Sequence, residues 1–242
     1  MPGMYEIYDG HSDRYDELVN REDREHNLST ALHGICSWDD TVVVESGIGT
    51  GRVTRLYIDR ARTVYGFDRA QHMLDQATRN LEQWRNKITL KAAEHRALPV
   101  SDGFADRFIE GWAFGHAVVD GGDRPEQISL VTDALVAEAE RVCRSGGSIT
   151  IIETLGTNTD HPGAPHAALA GFYDRLETHH GFVRTTVSTD YRFDSPEEAI
   201  RVCGFFFGQG MAEALRERFE GEPPAPEGAI VPEYSGIWHR SR

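Results

Sequence analysis

Apolar positions along this chain fall into two recurring patterns: short unbroken β-branched runs, and residues spaced three and four apart. Thr41–Val44 is an unbroken run, as expected of a strand buried on both faces of a parallel sheet. The stretch from Gly51 to Arg62, with Val53 and Leu56 inward, predicts a helix, and Thr63–Phe67 a second strand ending on Asp68. Met73, Ala77, Leu81 and Trp84 lie on one face of a helix predicted from Gln71 to about Arg85, followed by a short strand at Ile88–Leu90. Leu98-Pro99 and Asp102-Gly103 mark turns before a fourth strand, Arg107–Ala113. A long helix over Pro125–Val142 and a fifth strand over Ser148–Ile152, closing on Glu153, complete the alternation. Strand, helix, strand, helix, strand within about fifty residues is the pattern of a doubly wound parallel sheet.

The flanking regions follow other patterns. Residues 1–40 are polar and rich in Asp, Glu and Tyr, then place Leu28, Ala31, Leu32 and Ile35 on one helix face. This predicts an arm followed by one helix, with Tyr8 and Tyr15 placed either in surface packing or over a ligand. After a polar loop, LGTNTDHPGAPH, a helix is expected at Pro165–His180. Phe182–Phe193 alternates Val183, Thr185, Val187, Thr189 and Tyr191, as on a sheet-edge strand. Ser195-Pro196-Glu197-Glu198 starts another helix, with an N-cap serine, proline at the first position and a glutamate three residues on. That helix is expected to break near Gly204–Gly210 and resume over Met211–Phe219. Pro223–Pro226 read as a linker, and Ala229–His239 as a last strand. The expected division is an N-terminal arm and possible lid over residues 1–40, then one domain over 41–242.

Composition narrows the partners. The 242 residues carry a formal charge of −14, with no Lys/Arg-rich run, which disfavours binding to a polyphosphate backbone. No run approaches the roughly 18–20 apolar residues that span a bilayer, and the N-terminus lacks a signal-peptide pattern; a cytoplasmic protein is expected. Cys36, Cys143 and Cys203 are scattered and form no C-x-x-C pair, so they read as small buried apolar residues.

The chemistry concentrates after the first strand, in ESGIGTG. Gly47, Gly49 and Gly51 alternate between strand and helix, where a Gly-rich turn lets backbone N–H groups approach a ligand. The dinucleotide spacing G-x-G-x-x-G fails, and the Gly-Lys-Ser/Thr of a phosphate loop is absent. Glu45 ahead of the glycines suits a ligand with a positive group. ESGIGTGR resembles the first motif of the class I S-adenosylmethionine-dependent methyltransferases, roughly D/E-x-G-x-G-x-G. GFDRAQHML, with Asp68 17 residues after Gly51, is similar to that family's second motif. AEHRALPVSDGFAD resembles its adenine-side segment, and RVCRSGGSITIIE the turn before its fifth strand. Ser46 and Ser145 depart from the pattern, where the family has an apolar residue and a proline.

The resemblance, which runs from about Thr41 to Glu153, implies an α/β fold. It is a doubly wound, mostly parallel seven-stranded sheet with an antiparallel last strand. It implies S-adenosyl-L-methionine as cofactor and S-adenosyl-L-homocysteine as product. Glu45 would hold the methionyl ammonium, and Gly47, Gly49 and Gly51 would form the turn against the donor. Asp68, with Arg69 beside it, would take the ribose hydroxyls. Glu94 would face the adenine amino group, the His95 backbone N–H would lie beside the ring, and Trp112 would lie near the methionyl chain. Met73 reads as core.

Methyl transfer from a sulfonium is an in-line displacement that needs alignment and exclusion of water, with a base only for acceptors such as hydroxyls. His116 is the first candidate base; His161 and His166 are others, and a structural or solvent-facing role is the alternative for each. The acceptor-side insert is expected at about residues 154–210, where Phe205–Phe207, Tyr173 and Tyr191 form either an aromatic pocket or core. The absence of an Asn/Asp-Pro-Pro-Tyr stretch disfavours a base-amine nucleic-acid methylase. A small-molecule acceptor, no metal, no nucleic-acid or membrane partner, and a monomer or homodimer are expected. The alternative is a donor-binding protein of this fold that transfers no methyl group.

Overall fold

A computed structural model describes residues 12–221 and 228–242, so Tyr8 and the Pro223–Pro226 linker lie outside the described residues. In chain order the elements begin with α1 (Ser12–Val19), α2 (Asn27–Ile35), β1 (Val42–Ser46), β2 (Thr63–Asp68), α3 (Gln71–Asn80) and β3 (Ile88–Ala92). Next come β4 (Ala105–Gly111), α4 (Phe114–Gly121), α5 (Pro125–Val142), β5 (Cys143–Thr157), α6 (Ala167–Thr178) and β6 (Val183–Ser188). Last are β7 (Tyr191–Phe193), α7 (Pro196–Phe207), α8 (Gln209–Phe219), β8 (Ala229–Val231) and β9 (Glu233–Ser241).

Seven strands form one sheet in the order β3-β2-β1-β4-β5-β9-β6, with β7 and β8 forming a separate pair. Strand β9 runs antiparallel to both its neighbours, and the other six strands run parallel. This is the seven-stranded doubly wound sheet with one antiparallel strand expected above. Alternate residues of the central strands feed the two faces. Val44, Phe108, Ile149 and Ile151 pack with Phe114, Leu135 and Phe172 on one side. Val43, Ile109, Ile152 and Ile237 pack with Leu32, Trp38, Tyr57 and Ile58 on the other. A third cluster, Leu18, Tyr191, Phe193, Val202, Leu215 and Val231, lies off the sheet and joins α1, α7, α8 and the β7–β8 pair. Cys143 and Cys203 are buried, Cys36 is half-buried, and all three are free thiols.

Several elements differ from expectation, each for a physical reason. The Gly51–Arg62 stretch is a run of turns around one 3-10 turn, Thr54–Leu56, instead of a helix. Its side chains are committed inward: Thr54 Oγ1 donates to Glu45 Oε2 at 2.6 Å, the Tyr57 hydroxyl donates to the same oxygen, and Val53 and Ile58 are buried. Helix α3 ends at Asn80, and Trp84 lies on a separate 3-10 turn. Strand β4 ends at Gly111 because Trp112 turns the backbone to a φ of +55°. Helix α4 was not expected at all.

Phe182–Phe193 divides at Thr189–Asp190 into β6 and β7, which lie in different sheets, and Ala229–His239 divides at Pro232 into β8 and β9. Proline has no N–H for a ladder, so the two strand pairs separate where it falls. Ser195 caps α7 by accepting from the Glu198 N–H, as its sequence predicts. Gly208, at a φ of +93°, alone makes the break before α8. Within the expected arm, α1 is anchored to α3 by Asp16, which accepts from Gln76 and Asn80 at 3.0 and 2.9 Å. No helix among the described residues is long and apolar enough to cross a membrane.

Candidate functional site

The sheet order reverses between β1 and β4, and in open α/β sheets ligands bind outside the strand C-termini at that point. A cavity of about 320 Å³ lies there, within the range of small-molecule sites. Four adjacent strands, β2, β1, β4 and β5, each carry a carboxylate at or near the C-terminal end: Asp68, Glu45, Glu110 and Glu153. Of the four, Asp68 alone lines the cavity. Its Oδ2 accepts the Gly49 N–H and its Oδ1 the Ala70 N–H, both at 2.9 Å. These bonds aim the carboxylate and leave each oxygen a second lone pair for a ligand hydroxyl. Burial raises its pKa, against the two backbone bonds.

The glycine turn forms the wall beside Asp68. Gly47 has a φ of +74°, and a Cβ there would stand 2.4 Å from Ala113 Cβ and 3.0 Å from His95 Cε1. Only glycine brings the loop crest this close to the opposite wall while leaving the cavity open. Gly51, also left-handed, faces the other way; a Cβ would collide with Leu81 at 2.6 Å, so it serves packing against α3. Glu45 is buried beneath the loop on Thr54 and Tyr57, and burial pushes its pKa up to about 7. Glu45 and Gly51 are therefore off the cavity wall, whereas Gly47, Gly49, Asp68, Arg69, Glu94, His95, Trp112 and His116 all line it.

The facing wall is the turn from β4 into α4. Its helix N-terminus has no local side-chain cap. Instead Glu110 Oε2 accepts the Ala113 and Phe114 N–H groups, both at 3.1 Å, and Glu153 Oε1 accepts the Gly115 N–H at 2.5 Å. Burial and the neighbouring Glu153 carboxylate push Glu110 far above the usual carboxylate range, and burial raises Glu153 to about 8. Burial of two neighbouring carboxylates thus favours a proton on the pair.

Two neutral imidazoles complete the wall. His95 Nδ1 lies 2.8 Å from Ser46 Oγ, and its ring meets Phe114 edge-on at 5.4 Å. Burial pulls the His95 pKa down to about 4, and burial with Arg69 nearby lowers that of His116. The polar Ser46, a departure from the resemblance, is thus the partner of His95.

The remaining lining includes Tyr15, Met73, Arg96, Asp120, Val131 and Leu135. Met73, expected in the core, is 3% exposed and also faces the cavity. Tyr15 sits in the wall and also packs on Phe206, with ring centroids 5.9 Å apart. Asp120 was missed because α4 was not expected, whereas Val131 and Leu135 lie on the predicted Pro125–Val142 helix and read as inward-facing core. His161 and His166 are not in the wall, and neither are Phe205–Phe207, Tyr173 or Tyr191. Phe206 and Phe207 pack against the third cluster, and Tyr173 and Tyr191 belong to buried clusters. Among the described residues, Asp133, His179 and His180 could together face a metal ion. However, both Asp133 oxygens are held by Arg175 at 2.6 Å, so that carboxylate is already neutralised.

The chain is similar to known proteins. A family model described as a methyltransferase domain matches residues 44–151. An uncharacterised methyltransferase of Geobacillus sp. strain WCH70 is 27% identical over 47% of this chain, a match that spans 53%, about half, of that relative. A phosphatidylethanolamine N-methyltransferase of Cereibacter sphaeroides is 28% identical over 68% of this chain and 76% of its own. The solved YcgJ protein of Bacillus subtilis shares the fold with a TM-score of 0.56 at 11% identity, covering 90% of this chain and 99% of that one.

Proposed function

We propose that this chain, which a methyltransferase-domain model matches over residues 44–151 and whose motifs resemble those of the class I S-adenosylmethionine-dependent methyltransferases, moves the methyl group of S-adenosyl-L-methionine to a small-molecule acceptor by in-line displacement. The observation that carries this reading is the Gly47–Gly49–Asp68 corner. There a loop crest that tolerates no Cβ and a carboxylate aimed by two backbone N–H groups face one cavity. When bound, the donor supplies a methyl group already activated by the sulfonium.

The protein's own residues hold, orient and exclude water. Asp68 accepts two hydroxyls of the donor ribose with its remaining lone pairs, and Glu94 faces the adenine amino group beside the His95 N–H. Arg69 flanks the ribose side, and Trp112 closes the methionyl side. Gly47 and Gly49 admit the donor against backbone. Glu45 acts from beneath, through Thr54 and Tyr57, which fix the chain just after the loop. Gly51 keeps that loop packed on Leu81. His116, held neutral at physiological pH, is the group able to take a proton from a hydroxyl acceptor. Residues 12–40 serve as a lid; the acceptor side falls to the His116 and Asp120 wall and not to the expected insert at about 154–210, since no residue of that insert lines the cavity. The net charge of −14 supports the exclusion of nucleic acid, and we place the protein in the cytoplasm as a monomer or homodimer.

The test is incubation with methyl-labelled donor and a panel of hydroxyl, amine and carbon nucleophiles, with phosphatidylethanolamine vesicles as one arm. Label transfer to a soluble acceptor supports the proposal. Transfer only to the vesicles moves the acceptor to a lipid amine. Donor binding without transfer to any acceptor favours the non-methylating alternative.

A further inference from the structure

Arg52, the residue immediately after the glycine turn, is the centre of a buried cluster that joins three distant parts of the chain. Its guanidinium lies over the Trp112 ring at 3.5 Å from the centroid, a cation–π stack on the wall of the cavity. The same group pairs with Glu22, in the segment following α1; the two side chains are 16% and 2% exposed. Tyr15 on α1, Tyr191 on β7 and Glu233 on β9 lie within its field. Trp112 itself is held at a φ of +55°, a region that a bulky residue occupies only where its surroundings over-determine it. Its backbone N–H donates to Ile152 at 2.7 Å, so one side of the residue is fixed by the sheet and the ring side by Arg52.

The arrangement is specific in its chemistry. A buried cation needs a partner, and Glu22 supplies one from outside the sheet domain's first strand–helix units. The planar guanidinium can pair with a carboxylate in its plane and stack on an indole through its face, which an ammonium cannot do equally well. Glu22 follows α1, which also carries Tyr15 into the cavity wall. One residue next to the donor loop therefore contacts the cavity wall and the segment that would cover it.

We propose that Arg52 is a positioning residue for the donor site: through its stack on Trp112 and its pair with Glu22 it locks the Tyr15–Glu22 segment against the cavity wall. Donor affinity then depends on residues 15–22. This inference rests on the donor-site reading above and adds to it a coupling that the glycine and aspartate motifs do not contain.

The experiment is calorimetric titration of the full chain with S-adenosyl-L-homocysteine, for wild type, Arg52→Met, Arg52→Lys and Glu22→Gln. Thermal melts establish that each variant is folded. Arg52→Met and Glu22→Gln are expected to weaken binding by about tenfold or more, and Arg52→Lys, which keeps the charge, to recover part of the loss. Tryptophan emission gives a readout that general destabilisation does not move. Arg52→Met is expected to shift it in the native protein, and the shift to vanish in a Trp112→Phe background. If Arg52→Met fails to fold, the near-isosteric Glu22→Gln carries the same test. Wild-type affinity in both Arg52→Met and Glu22→Gln overturns the proposal, as does an emission shift that persists without Trp112. A wild type that binds no S-adenosyl-L-homocysteine instead overturns the donor-site reading.

Discussion

Two strand-to-helix turns face each other across the cavity and solve the same problem differently. After β1 the chain turns through Gly47, Gly49 and Gly51, all left-handed. After β4 it turns through Trp112, also left-handed but with a large side chain. The first turn reaches its conformation at no Cβ penalty, through residue choice, and is tied to β2 by Gly47 and Ile48 N–H bonds to Phe67 and the Gly49 bond to Asp68. The second carries a cost of about 1 kcal/mol or more and is held largely by distant groups, with Arg52 on the ring, Ile152 on the Trp112 N–H and Glu153 on the Gly115 N–H, while the nearby Glu110 takes the Ala113 and Phe114 N–H groups. The first wall is thus encoded locally and the second is assembled by the tertiary fold. A ligand between them reads both.

The sharpest way to break this comparison is to give the first turn a side chain. Gly47→Ala places a Cβ 2.4 Å from Ala113 Cβ in a left-handed backbone, so either the two turns separate or the crest shifts. Donor affinity is expected to fall by about a hundredfold, the equivalent of about 2.7 kcal/mol, measured by calorimetry. Unchanged affinity would mean that the crest does not depend on its contact with the second turn.

A smaller effect is expected from relaxing the second turn. Trp112→Gly removes the backbone strain and the stack together. Thermal stability is expected to change little, because relief of about 1 kcal/mol offsets part of the lost ring packing. Donor affinity is expected to fall about tenfold as Arg52 loses its seat. A stabilised variant with full affinity would show that the ring serves neither role.

The acids under the second turn act on stability and its pH dependence, not on donor affinity. Glu153 is raised from 4.5 to about 8 by burial. Below pH 4.5 folded and unfolded chains both hold its proton. Between about 4.5 and 8 the unfolded chain releases it while the folded chain keeps it, so this group's contribution to stability declines as pH rises, by at most about 1.4 kcal/mol per pH unit. Above 8 the contribution is constant. Glu153→Gln keeps an acceptor for the Gly115 N–H and removes the titration. Urea midpoints at pH 5 and pH 8 should therefore lie closer together in the variant than in wild type; an unchanged difference would contradict the assignment.

The same contrast explains what was legible in the sequence. The first wall was readable because its signals are local: β-branched Val42–Val44, alternate glycines, and a strand ending on Asp68. Ser195 and Pro196 likewise announced α7. Helix α4 was invisible because its N-cap position, Ala113, carries no capping side chain; its N–H groups go to Glu110, at the end of the preceding strand, and to Glu153, 38 residues away in sequence from Gly115. The Gly51–Arg62 stretch has helical spacing, but Thr54 and Tyr57 turn their hydroxyls to Glu45, and that requirement outweighs the local pattern. Glu45 illustrates the limit for the site. Its place in the motif suggested a ligand contact, yet two hydroxyls hold it beneath the loop. Arg52 carried no signal beyond its position after Gly51, since Glu22 and Trp112 come to it only in the folded chain.

The most direct test of the donor-site account is a calorimetric titration of S-adenosyl-L-homocysteine into wild type and Asp68→Ala. The account predicts one site per chain in wild type. It predicts a loss of about thirtyfold or more in the variant, the loss of charge-assisted hydrogen bonds worth about 2 kcal/mol or more, with an unaltered circular dichroism spectrum. Absence of binding in wild type, or equal affinity in a folded Asp68→Ala, would contradict it.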